Sequence, residues 1–100
     1  MPKGYWIGQV DIADMDGYRA YITGNAEVLR KYGAKFLVRG GTREVMEGES
    51  RTRNVVLEFK DYETALACYR SPEYQKLVAV RAPHSTADIV VIEGYDGPQP

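Results

Sequence analysis

Residues 53–74 read RNVVLEFKDYETALACYRSPEY, and this stretch decides the fold. From Arg53 to Lys60 apolar and polar side chains alternate, the period of a half-buried strand. Asp61 then stands where a helix needs an N-terminal cap, and Tyr62, Ala65, Leu66 and Tyr69 recur at helical spacing. Ser71-Pro72 breaks that helix and restarts another helical turn, because proline is favoured at a first helical position. A strand feeding directly into a helix is one βα step, and the flanking sequence supplies the others.

Before this stretch, Tyr5 to Ile12 is rich in β-branched and aromatic residues and reads as a strand. Asp14-Met15-Asp16 offers acidic capping groups, and Tyr18, Tyr21, Ile22, Ala26, Leu29 and Tyr32 form the stripe of a first helix that stops at Gly33. Gly17 and Gly24 each weaken that helix by about 1 kcal/mol relative to alanine, so packing must hold it. Lys35 to Arg39 reads as a second strand running into Gly40-Gly41, where a bulge is expected before the strand resumes through Arg43 to Glu47. Gly48-Glu49-Ser50 makes the turn into Arg53. After Pro72, Tyr74, Leu77 and Val78 continue the helical segment to near Pro83, and Ala87 to Gly94 is the last strand.

The order is βαββαβ, so the chain is expected to be an α+β, ferredoxin-like domain over residues 1–96. Its four-stranded antiparallel sheet carries two helices on one face, and residues 97–100 form a flexible tail. One hundred residues suit a single core. Thirteen Lys plus Arg stand against 14 Asp plus Glu with no block of like charge, which argues against nucleic acid and anionic membrane as partners. The N-terminus shows no signal-peptide or membrane-spanning stretch. Cys68 is the only cysteine, so no internal disulfide can form and a reducing, cytoplasmic setting is expected.

Strand parity separates two faces. Trp6, Val10, Ile12, Phe36, Val38, Val55, Leu57, Phe59, Ile89 and Val91 are assigned to the helix side. The other parity gives Tyr5, Ile7, Gln9, Asp11, Leu37, Arg39, Asn54, Val56, Glu58, Asp88, Val90 and Ile92. That mixture of large apolar side chains and charges suggests a surface half covered by another sheet. A homodimer stacked through these faces would bury Ile7, Leu37, Val56, Val90 and Ile92 and leave a polar cavity bordered by Arg39, Glu58, Asp11 and Gln9. Arg39 could hold a carboxylate in two parallel hydrogen bonds. The plainer alternative is a cross-strand ion pair of Arg39 with Glu58 or Asp11.

Leu37-Val38-Arg39-Gly40-Gly41, then Glu47-Gly48, Phe59 and Tyr69-Arg70-Ser71-Pro72-Glu73-Tyr74, with the late Arg81 and Glu93-Gly94, resemble the family called domain of unknown function 1330. The resemblance runs along nearly the whole chain. It implies the dimeric α+β barrel superfamily, whose members pair two ferredoxin-like sheets face to face. Superfamily relatives include small monooxygenases acting on polyketides or haem, lactone isomerases and stress-response proteins. The resemblance thus implies a small, fairly apolar ligand between sheet and helices, although fold alone assigns no activity.

His84, the only histidine, falls in the loop before the last strand and lacks the companions of a zinc site. It is either a surface residue or, as in some haem-binding relatives, a ligand contact. Cys68 lies beside the second helical stripe and reads as a half-buried structural thiol rather than a nucleophile. Of eight tyrosines, Tyr5 and Tyr74 are the site candidates, the first by parity and the second by the family motif. Gly40-Gly41 is followed by neither Gly-Lys-Ser/Thr nor a helix and is no phosphate loop. An RNA-recognition module is disfavoured because Asn54, Val56 and Glu58 occupy the third-strand positions where stacking aromatics belong.

Three functions fit this pattern. One is a homodimer that binds or transforms a small organic molecule in a cavity over the sheet, with Arg39 as anchor and Asp11, Glu58, Tyr5, Tyr74, His84 and Arg81 around it. The second is a cofactor-free monooxygenase or isomerase, and the third a non-catalytic interaction module. No cofactor and no metal is expected.

Overall fold

A computed structural model describes residues 2–100. It comprises β1 (Gly4–Ile12), α1 (Met15–Lys31), β2 (Lys35–Arg39), β3 (Arg53–Phe59), α2 (Tyr62–Arg70), α3 (Pro72–Arg81), a short 3-10 turn (Ala82–His84) and β4 (Ser85–Glu93). The strands form one antiparallel sheet in the order β2-β3-β1-β4, the arrangement that a βαββαβ chain adopts when both crossovers lie on one face. Among the described residues no helix is long and apolar enough to cross a membrane.

Local chemistry sets the boundaries. Asp61 caps α2 by accepting the Thr64 N–H at 2.8 Å. Ser71 ends α2 and starts α3, its hydroxyl donating to the Cys68 carbonyl and accepting the Tyr74 N–H, while Pro72 occupies the first turn. At the end of α1, Gly33 takes φ +70°. The Ala34 N–H reaches the Leu29 carbonyl and the Gly33 N–H that of Arg30, a Schellman closure that needs a left-handed residue. Asp14 does precede α1 but makes no side-chain cap. Its carboxylate faces His84 Nδ1 at 3.3 Å instead.

The core is centred on Trp6. Its ring lies 5.1 Å from Phe59, 5.6 Å from Tyr69 and 4.8 Å from Tyr74 between centroids, and its indole N–H donates to the Ala65 carbonyl at 2.8 Å. Such aromatic pairs contribute about 0.5–1.5 kcal/mol each beyond the area they bury. Ala65 and Cys68 are fully buried in the same cluster. Cys68 therefore belongs to the α2 core stripe rather than beside it. In α1 Tyr18, Asn25, Val28 and Leu29 are buried and Tyr21 and Tyr32 pack against the core, whereas Ala26 is exposed, so the expected stripe holds except that Asn25 points inward in place of Ala26. Gly24 serves packing: a Cβ there would come within 2.6 Å of Leu77 in α3.

Two features of the β2–β3 region depart from expectation. The bulge falls within β2, between Phe36 and Val38, rather than at Gly40-Gly41. Phe36 pairs with Leu57 and Val38 with Val56, so Leu37 and Val38 together oppose one residue of β3. One extra residue reverses parity beyond it. Val38 thus faces the open side and is 43% exposed, and Arg39, paired with Val55, turns to the helix side. The strand does not resume at Arg43 to Glu47: residues 40–52 form an irregular, mostly exposed connection in which Met46 is 82% exposed. Gly40 begins it at φ +62°.

Two outcomes are expected. At Gly4 a Cβ would lie 2.3 Å from the Asp61 carbonyl oxygen, backbone that cannot yield, so Gly4→Ala should cost about 3 kcal/mol and lower Tm by 10 °C or more in thermal unfolding. The Thr64 hydrogen bonds hold the Asp61 carboxyl below its usual range. Its folded pKa lies below its unfolded value, so its stabilisation is full above the carboxylate range and is lost as pH falls through it. Asp61→Ala should therefore lower Tm at neutral pH, with the gap to wild type closing on acidification.

Candidate functional site

Strand pairing arranges the open face in rows: Tyr5, Glu58 and Ile92; then Ile7, Val56 and Val90; then Gln9, Asn54 and Asp88; then Asp11. The middle row is apolar, with Ile7 45% and Val90 55% exposed. The two polar ends of the face are about 20 Å apart along the strand. At one end the Tyr5 hydroxyl donates to Glu58 Oε2 at 3.1 Å, and burial followed by the Glu58 carboxylate raises the Tyr5 pKa.

At the other end Asp11 accepts the Thr52 N–H at 2.9 Å and the Arg51 Nη1 at 2.9 Å, interactions that lower its pKa in that order. Arg51 Nε also donates to Asp88 Oδ2 at 2.7 Å, and its N–H to Gln9 Oε1 at 3.2 Å. The cross-strand ion pair assigned to Arg39 is thus made by Arg51, which ties the end of the 40–52 connection to β1 and β4. Arg39, Asp11 and Glu58 do not converge: the first lies on the opposite face, and the other two occupy opposite ends of this one.

On the helix side of the sheet, beneath α1, is a cavity of about 50 Å³. Its floor is Trp6, Gly8, Val55 and Leu57, and α1 roofs it with Tyr18, Tyr21, Ile22 and Asn25. Tyr74 closes it on one side, and Arg39 and Arg53 border it on another. Gly8 leaves the floor open, since a Cβ there would meet only Ile89, at 3.5 Å.

Its polar groups are few and unevenly satisfied. The Tyr21 and Tyr74 hydroxyls share one hydrogen bond of 2.5 Å. Burial, and then Tyr21, pushes the Tyr74 phenol up, so Tyr74 stays protonated and acts as a hydrogen-bonding group. Asn25 is 7% exposed, and its side-chain Oδ1 has no partner among the described residues. A buried amide oxygen left unpaired costs about 1–3 kcal/mol. Arg39 stacks on Phe36, its Cζ 4.1 Å from the ring centroid.

The remaining candidates lie outside this cavity. Arg81 is buried behind it, with Cζ 5.5 Å from the Tyr21 ring centroid and its Nε unpaired. His84 packs its ring where a Cβ on Gly17 would fall, and its carbonyl accepts the Ala13 N–H at 2.8 Å, so it anchors the start of α1. The Cys68 thiol is pushed up to about 12 by burial and offers no thiolate near neutrality. Sequence patterning missed Tyr18, Tyr21, Asn25, Arg53 and Gly8. One signal was available: Asn25 is a polar residue three after Ile22 and four before Leu29, in the middle of an apolar stripe.

The fold is shared with solved structures of low sequence identity. A protein of unknown function from Rhodopseudomonas palustris superposes with a TM-score of 0.74 at 14% identity, covering 96% of this chain and 85% of that one. SnoaB, a cofactor-independent oxygenase from Streptomyces nogalater, gives 0.67 at 9% identity, with 97% of each chain covered. A dimeric ferredoxin-like protein of unknown function from Thermobifida fusca gives 0.60 at 15% identity, with 92% of this chain and 91% of that one covered. No curated protein matches the sequence. The model of the domain of unknown function DUF1330 matches residues 3–95, and the chain therefore belongs to that family.

Proposed function

We propose that the protein works as a homodimer and that each protomer holds a small organic molecule in the cavity between the sheet and α1. Asn25 carries this proposal. Natural cores rarely leave a buried amide unpaired, and such a group lining an otherwise apolar cavity marks a place built for a polar guest. Arg39 keeps its role as anchor, now at the cavity's border, and Tyr74 remains a contact. Asp11, Glu58 and Tyr5 are reassigned to the sheet face that meets the second copy. Ile7, Leu37, Val38, Val90 and Ile92, all more than 40% exposed, form the apolar part of that face. The lone thiol suits a reducing cytoplasm.

The geometry favours binding over the oxygenase or isomerase alternative. Proton abstraction needs a base poised near the working pH. The ionisable side chains lining the cavity are Tyr18, Tyr21, Tyr74, Arg39 and Arg53, and burial raises Tyr18 as well as Tyr74.

Two measurements test this function. Sedimentation at micromolar concentration should give a dimer, and the pair Ile7→Asp with Val90→Arg should give a folded monomer. A wild-type monomer would remove the homodimer. Gly8→Val should fill the cavity floor, leave Tm within a few degrees and abolish ligand-induced thermal shifts in a screen of small acids, lactones and phenols. Oxygen uptake with a phenol that Gly8→Val eliminates would establish the oxygenase alternative instead.

A further inference from the structure

We infer that the molecule held in the cavity is a short hydroxy-carboxylic acid, its hydroxyl seated between Asn25 and the Tyr21–Tyr74 pair and its carboxylate held by Arg39 and Arg53. This rests on the cavity being a binding site, as proposed above, and adds the chemical class of its occupant.

The inner end specifies a hydroxyl by counting donors and acceptors. Asn25 Oδ1 is an acceptor without a donor. The two tyrosine hydroxyls share a single hydrogen bond and Arg81 donates to that of Tyr74, so one phenolic proton of the pair is left over as a donor. Tyr21 and Asn25 are four apart on α1 and project side by side, both into the same small space. A guest group that satisfies both must donate and accept at once. A hydroxyl does so, whereas a carbonyl or ether only accepts and an ammonium only donates.

The outer end specifies an anion. Arg39 pairs with Val55 across β2 and β3, and Arg53 lies two residues from Val55 on the same face. The bulge therefore makes the two residues diagonal neighbours on the sheet, and both border the cavity. Among the described residues neither forms an ion pair: the carboxylates that pair with arginine are taken by Arg19 and Arg51. A carboxylate at that border would supply the missing counter-charge and match the guanidinium fork. A floor and roof of Trp6, Val55, Leu57, Tyr18 and Ile22 suit an apolar body. The enclosed volume of about 50 Å³, about a third of the roughly 150 Å³ that takes up benzene, holds only the hydroxyl end of such a molecule, so its carboxylate stays at the open border beside the exposed Arg39.

The test is an NMR titration of the full-length protein, following the Asn25 side-chain amide and the Nε–H signals of Arg39 and Arg53. The probes are 3-hydroxybutyrate, butyrate and 1,3-butanediol, which differ by the hydroxyl and by the carboxylate. The hydroxy acid should produce saturable shifts at all three residues, with the other two probes at least about tenfold weaker, the scale of one lost charge-assisted or buried hydrogen bond. Asn25→Ala should abolish the preference over butyrate, and Arg39→Gln with Arg53→Gln the preference over the diol. Equal affinity for the three probes, with Gly8→Val blocking all of them, overturns the assigned class and leaves the cavity as a binding site. Silence of the Asn25 amide to every probe, in a protein whose spectrum shows it folded, means that water is the only occupant and overturns both. The three probes act on the wild-type protein, so the outcome stands even where a variant fails to fold.

Discussion

The aromatic contact on which this structure depends is the seat of Trp6. A large ring on β1, at the centre of the sheet, is enclosed by Phe59 from β3, Tyr69 from α2 and Tyr74 from α3. Its one polar atom is satisfied by a carbonyl of α2. Because the indole N–H must find an acceptor once buried, the helix cannot slide along the sheet without orphaning it. The same packing places Tyr74 at full burial, from where its hydroxyl meets that of Tyr21 on α1. The core and the wall of the cavity are therefore one cluster of side chains.

A single inserted residue in β2 then decides what the cavity is made of. Without the bulge at Leu37, Arg39 would pair with Asn54 on the open face, and Val38 would pair with Val55 on the helix side. With it, Val38 joins the apolar open face and a cation reaches the helix side. The extra residue exchanges a hydrophobic plug for a charged border.

The two faces of the sheet divide the chemistry between them. On the open side Asp11 and Asp88 near the 40–52 connection are answered by Arg51 and Thr52, and Glu58 at the far end by Tyr5, and exposed aliphatic side chains fill the space between. Groups satisfied in this way have little left to offer a ligand, and they leave an ordered, partly apolar surface. On the helix side the polar groups are few and lack partners, as with Asn25 Oδ1 and Arg81 Nε. Unmet hydrogen-bonding capacity inside a core is costly to keep, which makes it the more informative of the two.

Periodicity and caps are local properties, and so the order βαββαβ, the cap at Asp61, the break at Ser71-Pro72 and the stop at Gly33 were legible in the residues alone. Short-range hydrogen bonds and backbone preferences fix them whatever the tertiary surroundings. The apolar character of the open face was legible too, because most strands keep strict alternation. Which face Arg39 occupies was not, since a bulge is settled by pairing with a neighbouring strand and leaves no mark in the β2 residues themselves. Nor could the sequence place Asn25 under the sheet, Cys68 in the core or Arg51 between two acids. Those positions depend on how α1 and α2 rotate against the sheet and where an irregular connection returns, and long-range packing determines them.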